Sequence, residues 1–193
     1  MNCPLDRSSV ESQLLEIEFL SLPFPTAQEL GYLRQTNIDP GSPLPLRIIE
    51  TEEVAGGRFR ATRNGVVRIV CPVICGGAWI DLAAFGSQPG PVLTAFGTGW
   101  VLGWDCLTDL VPAGPVRVFR HPTDWLRSGG AGAVFLSFAE ARRHLAEFEH
   151  AELRADDLEH VQMLRDELRP RPPRLPRITR ADRHRDSRRE VAA

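Results

Sequence analysis

Apolar and polar positions alternate most clearly between Val116 and Phe148, a stretch that reads VRVFRHPTDWLRSGGAGAVFLSFAEARRHLAEF. Val116, Val118 and Arg120 alternate with Arg117, Phe119 and His121, which is the period of a short strand. Pro122 is expected to stop it. Thr123 and Asp124 are placed to cap a short helix carrying Trp125 and Leu126. Gly129, Gly130 and Gly132 supply a permissive turn, and Ala133–Leu136 is an apolar run of buried-strand length. Ser137-Phe138-Ala139-Glu140 has capping-box spacing and sets a helix N-terminus at Ser137. That helix puts Phe138, Ala141, Leu145 and Phe148 on one face. The predicted unit is strand, short helix, strand, helix.

Upstream, Ser8-Ser9-Val10-Glu11 is spaced to cap a helix reaching Phe19, with Val10, Leu14 and Ile17 as its apolar stripe. Thr26-Ala27-Gln28-Glu29 is a second capping box, followed by Leu30 and Leu33. The prolines and glycine of Asn37–Pro45 mark a loop. Leu46–Val54, Arg58–Thr62 and Val66–Cys75 read as three strands of an antiparallel meander. For the connection after Arg58–Thr62, a three-residue loop with a left-handed Gly65 is preferred to a two-residue Asn64-Gly65 turn. It puts Phe59, Ala61, Val67, Ile69 and Cys71 on one face and Arg58, Arg60 and Arg68 on the other, whereas the shorter turn mixes both faces. Pro72 cannot donate to a ladder, so its strand is expected to be an edge or to bulge there. Gly76-Gly77 is a turn and Ala78–Phe85 a fourth strand. Val92–Trp104 fits a strand or a short helix equally well. Asp105–Leu110 reads as a helical turn, and Ala151–Arg154 as a short strand. Asp156-Asp157-Leu158-Glu159 opens a last helix, with Leu158, Val161, Leu164 and Leu168 on its buried side.

From Arg169 the apolar periodicity stops, and RPRPPRLPR has no core-forming pattern. The expected architecture is α+β. A single globular domain over residues 1–168 begins with an N-terminal antiparallel β-meander and continues as a strand-helix-strand-helix half. An Arg/Pro-rich disordered basic tail follows over 169–193.

Composition sharpens this picture in two ways. The chain contains no lysine; all 23 basic residues are arginine, as a high-GC, bacterial genome would favour. A Walker A loop, a Schiff-base lysine and a Ser-x-x-Lys nucleophile are therefore excluded within this chain. Charge is also divided unevenly. Residues 1–168 hold 14 Arg against 22 acidic residues, a net −8, whereas residues 169–193 hold 9 Arg against 3, a net +6. An acidic body with a basic tail points to nucleic acid or an acidic protein as partner. The contacts would come from Arg169, Arg171, Arg174, Arg177, Arg180, Arg183 and Arg185. No apolar run suits a membrane span, and the N-terminus lacks the pattern of a signal peptide, so a soluble, cytoplasmic protein without membrane contact is expected.

Catalytic chemistry has weak footing. His121 ends a strand, where ligands of α/β sheets usually bind, and with Asp124, Arg120 and Asp105 it forms the one candidate acid/base set. Asp156/His160 and Glu140/His144 share helix faces at i,i+4, but each carboxylate is also a capping residue. Cys71 and Cys75 lie four strand residues apart, about 13 Å, too far for a disulfide. Cys71 is expected to be a buried, reduced thiol. Gly129–Gly132 lacks the dinucleotide fingerprint, and the serines lack a nucleophile elbow. The arginine stripe could meet phosphate, but Glu50, Glu52 and Glu53 on the neighbouring strand are placed to neutralise it. Neither a metal site nor a cofactor is expected.

The pattern WIDLAAF from Trp79, followed by VRVFRHPTDWLRSGGAGAVFL, resembles proteins of high-GC bacteria and their mobile elements, over roughly residues 78–168. The resemblance implies no activity and no site residue. The expected function is that of a non-enzymatic accessory or interaction protein with a partner-binding tail. The alternative is a small enzyme with an acid/base site around His121 and Asp124.

Overall fold

Residues 9–39, 44–108, 114–146 and 152–170 are described in a computed structural model. Ser8, Phe148, Ala151 and the tail beyond Pro170 lie outside them. Two helices lead the chain, α1 (Ser9–Ser21) and α2 (Ala27–Gln35). Five strands follow: β1 (Arg47–Val54), β2 (Arg58–Ala61), β3 (Val66–Cys75), β4 (Ala78–Phe85) and β5 (Leu93–Thr94). The second half comprises β6 (Val101–Leu102), α3 (Trp104–Thr108), β7 (Val116–Arg117), α4 (Pro122–Arg127), β8 (Val134–Phe135), α5 (Phe138–Leu145), β9 (Leu153–Arg154) and α6 (Leu158–Leu168). The α+β class holds.

The meander does not. The five strands close into a barrel in the order β1-β2-β5-β4-β3. β1 lies between β2 and β3 and is antiparallel to both, with Glu53 opposite Phe59 and Ile48 opposite Ile69. β2 therefore never pairs with β3. Its free edge meets β5 in parallel, Arg58 beside Thr94, and that contact closes the barrel. The expected hairpin is corrected with it. Phe59 and Ile69 face opposite sides of the sheet and belong to different clusters. Arg58 and Arg60 lie on the face of Glu52, whereas Arg68 shares the other face with Ile49. Gly65 is not left-handed; it is needed because a Cβ there would lie 2.3 Å from the carbonyl oxygen of Thr51. At Pro72 the ladder to β1 has already ended at Val70, so the missing N–H costs nothing on that side.

Strand alternation sorts the apolar residues into two clusters. Ile49, Phe59, Val70, Leu82, Ala84 and Leu93 fill the barrel, joined by Leu15 and Phe19 of α1. The outer face of β3 and β4, with Ile69, Cys71, Val73 and Phe85, packs against Trp100, Trp104, Val118, Trp125 and Phe135 of the second half. Barrel and second half thus share one core.

The α1 stripe is also corrected. Leu15 and Phe19 point inward, Ser12 Oγ accepts from Trp79 N at 2.8 Å, and the Phe19 and Trp79 rings meet edge to face at 5.3 Å. Val10, Leu14 and Ile17 face solvent. This helix is apolar on both sides, so periodicity cannot choose which side is buried. In the second half, β7 pairs in parallel with β9, β6 pairs with β8, and Val118 bridges Ala133. The unassigned stretch 92–104 holds β5, β6 and the first residue of α3.

Caps account for the helix starts. Thr26 and Glu29 form a full capping box, and Ser137 Oγ accepts from Glu140 N. α4 departs from expectation: its cap is His121, with Pro122 as the first helical residue, where a proline's missing N–H has no partner to lose. α6 is capped by Asp157, which leaves Leu158 in solvent and turns His160 and Leu164 inward.

Candidate functional site

The His121 corner joins β7 to α4. Its backbone is extended (φ −139°, ψ 144°). Nδ1 is approached by Thr123 through its N–H at 3.3 Å and its hydroxyl at 2.6 Å. Thr123 Oγ1 also reaches the Gly86 carbonyl at 3.2 Å, tying the turn to the end of β4. The imidazole meets Phe85 edge-on at 5.9 Å and is only 5% exposed. Burial pushes its pKa down; the Asp124 charge opposes the shift and that of Arg127 reinforces it. The group is a neutral imidazole whose acceptor nitrogen caps a helix. Its Nε2 has no hydrogen-bond partner among the described residues.

The expected partners of His121 are engaged elsewhere. Asp124 Oδ1 pairs with Arg127 NH1 at 2.9 Å, and Arg127 Nε donates to Thr36 O at 2.9 Å, fastening α4 to the end of α2. Asp105, in α3, borders a hollow of about 210 Å³ between Leu102, Trp104, Trp125 and Gly130; neither His121 nor Asp124 lines it. Arg120 binds Asp157 at 2.7 Å, and Arg117 binds Asp156 at 2.7 Å, so both arginines anchor the start of α6. The Asp157 carboxyl is held below its usual range by the His160 N–H and then by Arg120.

His160 is fully buried. Its Nδ1 accepts from Asp156 N at 3.4 Å, and the Asp156 carboxylate lies 3.9 Å away. Burial lowers its pKa, with Arg120 reinforcing and Asp156 and Asp157 opposing. His144 stacks on Trp100 at 4.8 Å, while Glu140 pairs with Arg143 rather than with His144. Both i,i+4 pairs therefore have structural surroundings.

Sequence reasoning missed Asp81. This carboxylate is fully buried, yet Oδ1 accepts from Leu82 N and Phe96 N, and Oδ2 from Thr98 N and Gly99 N, at 2.7–2.9 Å. It holds the loop after β5 against β4. A lone aspartate inside an apolar strand, WIDLAAF, was the available signal, since an unpaired buried charge demands donors.

Arg60 pairs with Glu52 across β1 and β2, Arg58 Nε donates to Ala55 O, and Arg68 NH1 donates to Thr51 Oγ1 at 2.6 Å. Cys71 is buried and free, its thiol pushed up to about 12 by burial. Cys106 is free as well, whereas Cys75 is disulfide-bonded. Among the described residues no three His, Cys, Asp or Glu side chains gather as metal ligands, and no helix is long and apolar enough to cross a membrane. A groove of about 480 Å³ runs between α2 and the sheet over Ile48, Val67 and Ile69. Its two charged lining groups are Glu29, used in the α2 capping box, and Arg68, held by Thr51. Of the tail arginines only Arg169 is described, and it is exposed. The chain matches no family model, no curated protein and no solved structure.

Proposed function

We propose that this is a non-enzymatic interaction protein whose arginine-rich tail contacts nucleic acid or an acidic protein surface. The observation that carries the reading is the opposite charge of the two parts, −8 over residues 1–168 and +6 over 169–193. Support comes also from how the body uses its polar groups. His121 caps a helix, Asp124 pairs with Arg127, and Asp81 holds a loop. Each of these groups is engaged in holding a helix start or a loop. Arg169, the first arginine of the basic segment, follows α6 and is exposed.

Arginine–phosphate contacts tolerate sequence and depend steeply on salt, because each neutralised phosphate releases counterions. With about five contacts, the log–log slope on random duplex DNA is expected near −4.5. The test compares the natural chain with a variant in which the arginines of 169–193 are replaced by glutamine, at two or more salt concentrations. Binding by the natural chain that collapses in the variant supports nucleic acid. Equal binding by both, or none by either, removes it.

A further inference from the structure

The solvent side of α1 carries apolar residues that belong to neither core cluster of the described residues. Val10, Leu14 and Ile17 recur at i, i+4 and i+7 and expose 61%, 60% and 63% of their surface, and Leu20 beside them exposes 49%. The opposite side of the same helix, Leu15 and Phe19, is buried in the barrel. A surface helix ordinarily keeps one apolar stripe, turned toward the core. Scattered exposed apolar residues need no explanation, but a contiguous stripe marks a binding surface.

The borders of the stripe say what covers it. On the helical period, Glu11 and Glu18 run along one border and Glu16 lies beyond Leu20 on the other. All three are exposed, and α1 contains no basic residue. A second copy docked through the same stripe would set glutamates against glutamates at both borders, a like-charge arrangement that interfaces avoid. Anionic membrane surfaces are disfavoured for the same reason. We propose that the solvent face of α1 docks an amphipathic helix of a partner protein whose apolar stripe is bordered by arginine or lysine. The mode is a helix laid along an apolar strip, with opposite charge fixing orientation and rejecting acidic helices. This partner is cationic where the ligand of the tail is anionic, so the two proposals stand or fall separately.

The test keeps the full chain. Two synthetic amphipathic helices share leucines at i, i+4 and i+7; one is bordered by arginine, the other by glutamate. Each is titrated against the natural protein, against Leu14→Ser/Ile17→Ser, and against Glu16→Arg/Glu18→Arg. All substituted side chains already face solvent, and unchanged melting temperatures establish that each variant is folded. The arginine-bordered helix is expected to bind the natural protein and to lose about tenfold or more in the serine variant, as for central apolar anchors. In the charge-reversed variant the preference should switch to the glutamate-bordered helix. Equal binding of both helices, undiminished binding by the serine variant, or no switch on charge reversal would overturn the proposal. So would a dimer of the natural protein that the serine substitutions disperse, since a second copy would then occupy the face. Uptake onto phosphatidylserine vesicles that those substitutions abolish, without any peptide preference, would assign the face to a membrane instead.

Discussion

Asp81 shows how this chain handles a charge it has buried. Its carboxylate is removed from water and solvated instead by four backbone N–H groups of the 82–99 segment. Charge-assisted bonds of this kind are the strong ones, and leaving their donors unmet costs full desolvation. Asp81→Asn keeps the shape but turns an NH2 group toward two of those donors. It should lower stability by about 3 kcal/mol, since each unmet donor costs roughly 1–3 kcal/mol. A urea-unfolding midpoint left unchanged would mean that the loop is held by other contacts. His121 belongs to the same class of residue, a buried polar group whose ring nitrogen caps a helix start.

Among the elements, the turn from β2 to β3 is where steric demand is most local. The chain must leave β2 on one side of β1 and enter β3 on the other, passing close over Thr51. Gly65 makes this possible: a Cβ there would sit 2.3 Å from Thr51 O and 2.5 Å from Thr62 Cγ2. Gly65→Ala should therefore destabilise the barrel by more than the roughly 1 kcal/mol of an ordinary glycine effect, because backbone must shift. The cause is contact and not dihedral strain, so Gly65→Asn, which tolerates left-handed backbone, should fare no better than alanine. Thermal unfolding of the two variants separates the explanations; recovery in the asparagine variant would restore the left-handed turn.

At the scale of the whole molecule, barrel and second half share one apolar cluster, so they should unfold together. Two imidazoles in the second half then make the whole protein acid-sensitive. Burial lowers the pKa of both His121 and His160. The unfolded chain titrates them near their ordinary value of about 6.5 and binds more protons than the folded chain below it. Stability is thus fully present above about pH 6.5 and declines as pH falls from there toward the lowered folded values. A melting temperature that falls between neutral pH and about pH 5.5, with one transition, is the expected record. A flat profile over that range would show that the buried rings accept protons without cost.

Local chemistry was legible from the sequence alone. The Thr26 and Ser137 caps, the bounds of β4 and the glycine turn at 129–132 all depend on residues within three or four positions of one another. The α+β class and the uneven charge followed from pattern and composition in the same way. Choices between distant partners were not legible. Nothing near β2 shows that its edge meets Leu93–Thr94, because a two-residue strand has too little alternation to announce itself. With that pairing hidden, the hairpin between Phe59 and Ile69 satisfied every local rule and was still wrong. His121 rather than Thr123 caps α4 because the imidazole is fixed against Phe85 from another strand. α1 offers two apolar sides of similar strength, and the barrel cluster takes Leu15 and Phe19. The sequence by itself determined where helices and turns begin, through short-range hydrogen bonds and backbone freedom. Only the tertiary structure decided which faces meet and which side of α1 is left to solvent, because burial is settled by the shape of the opposing surface.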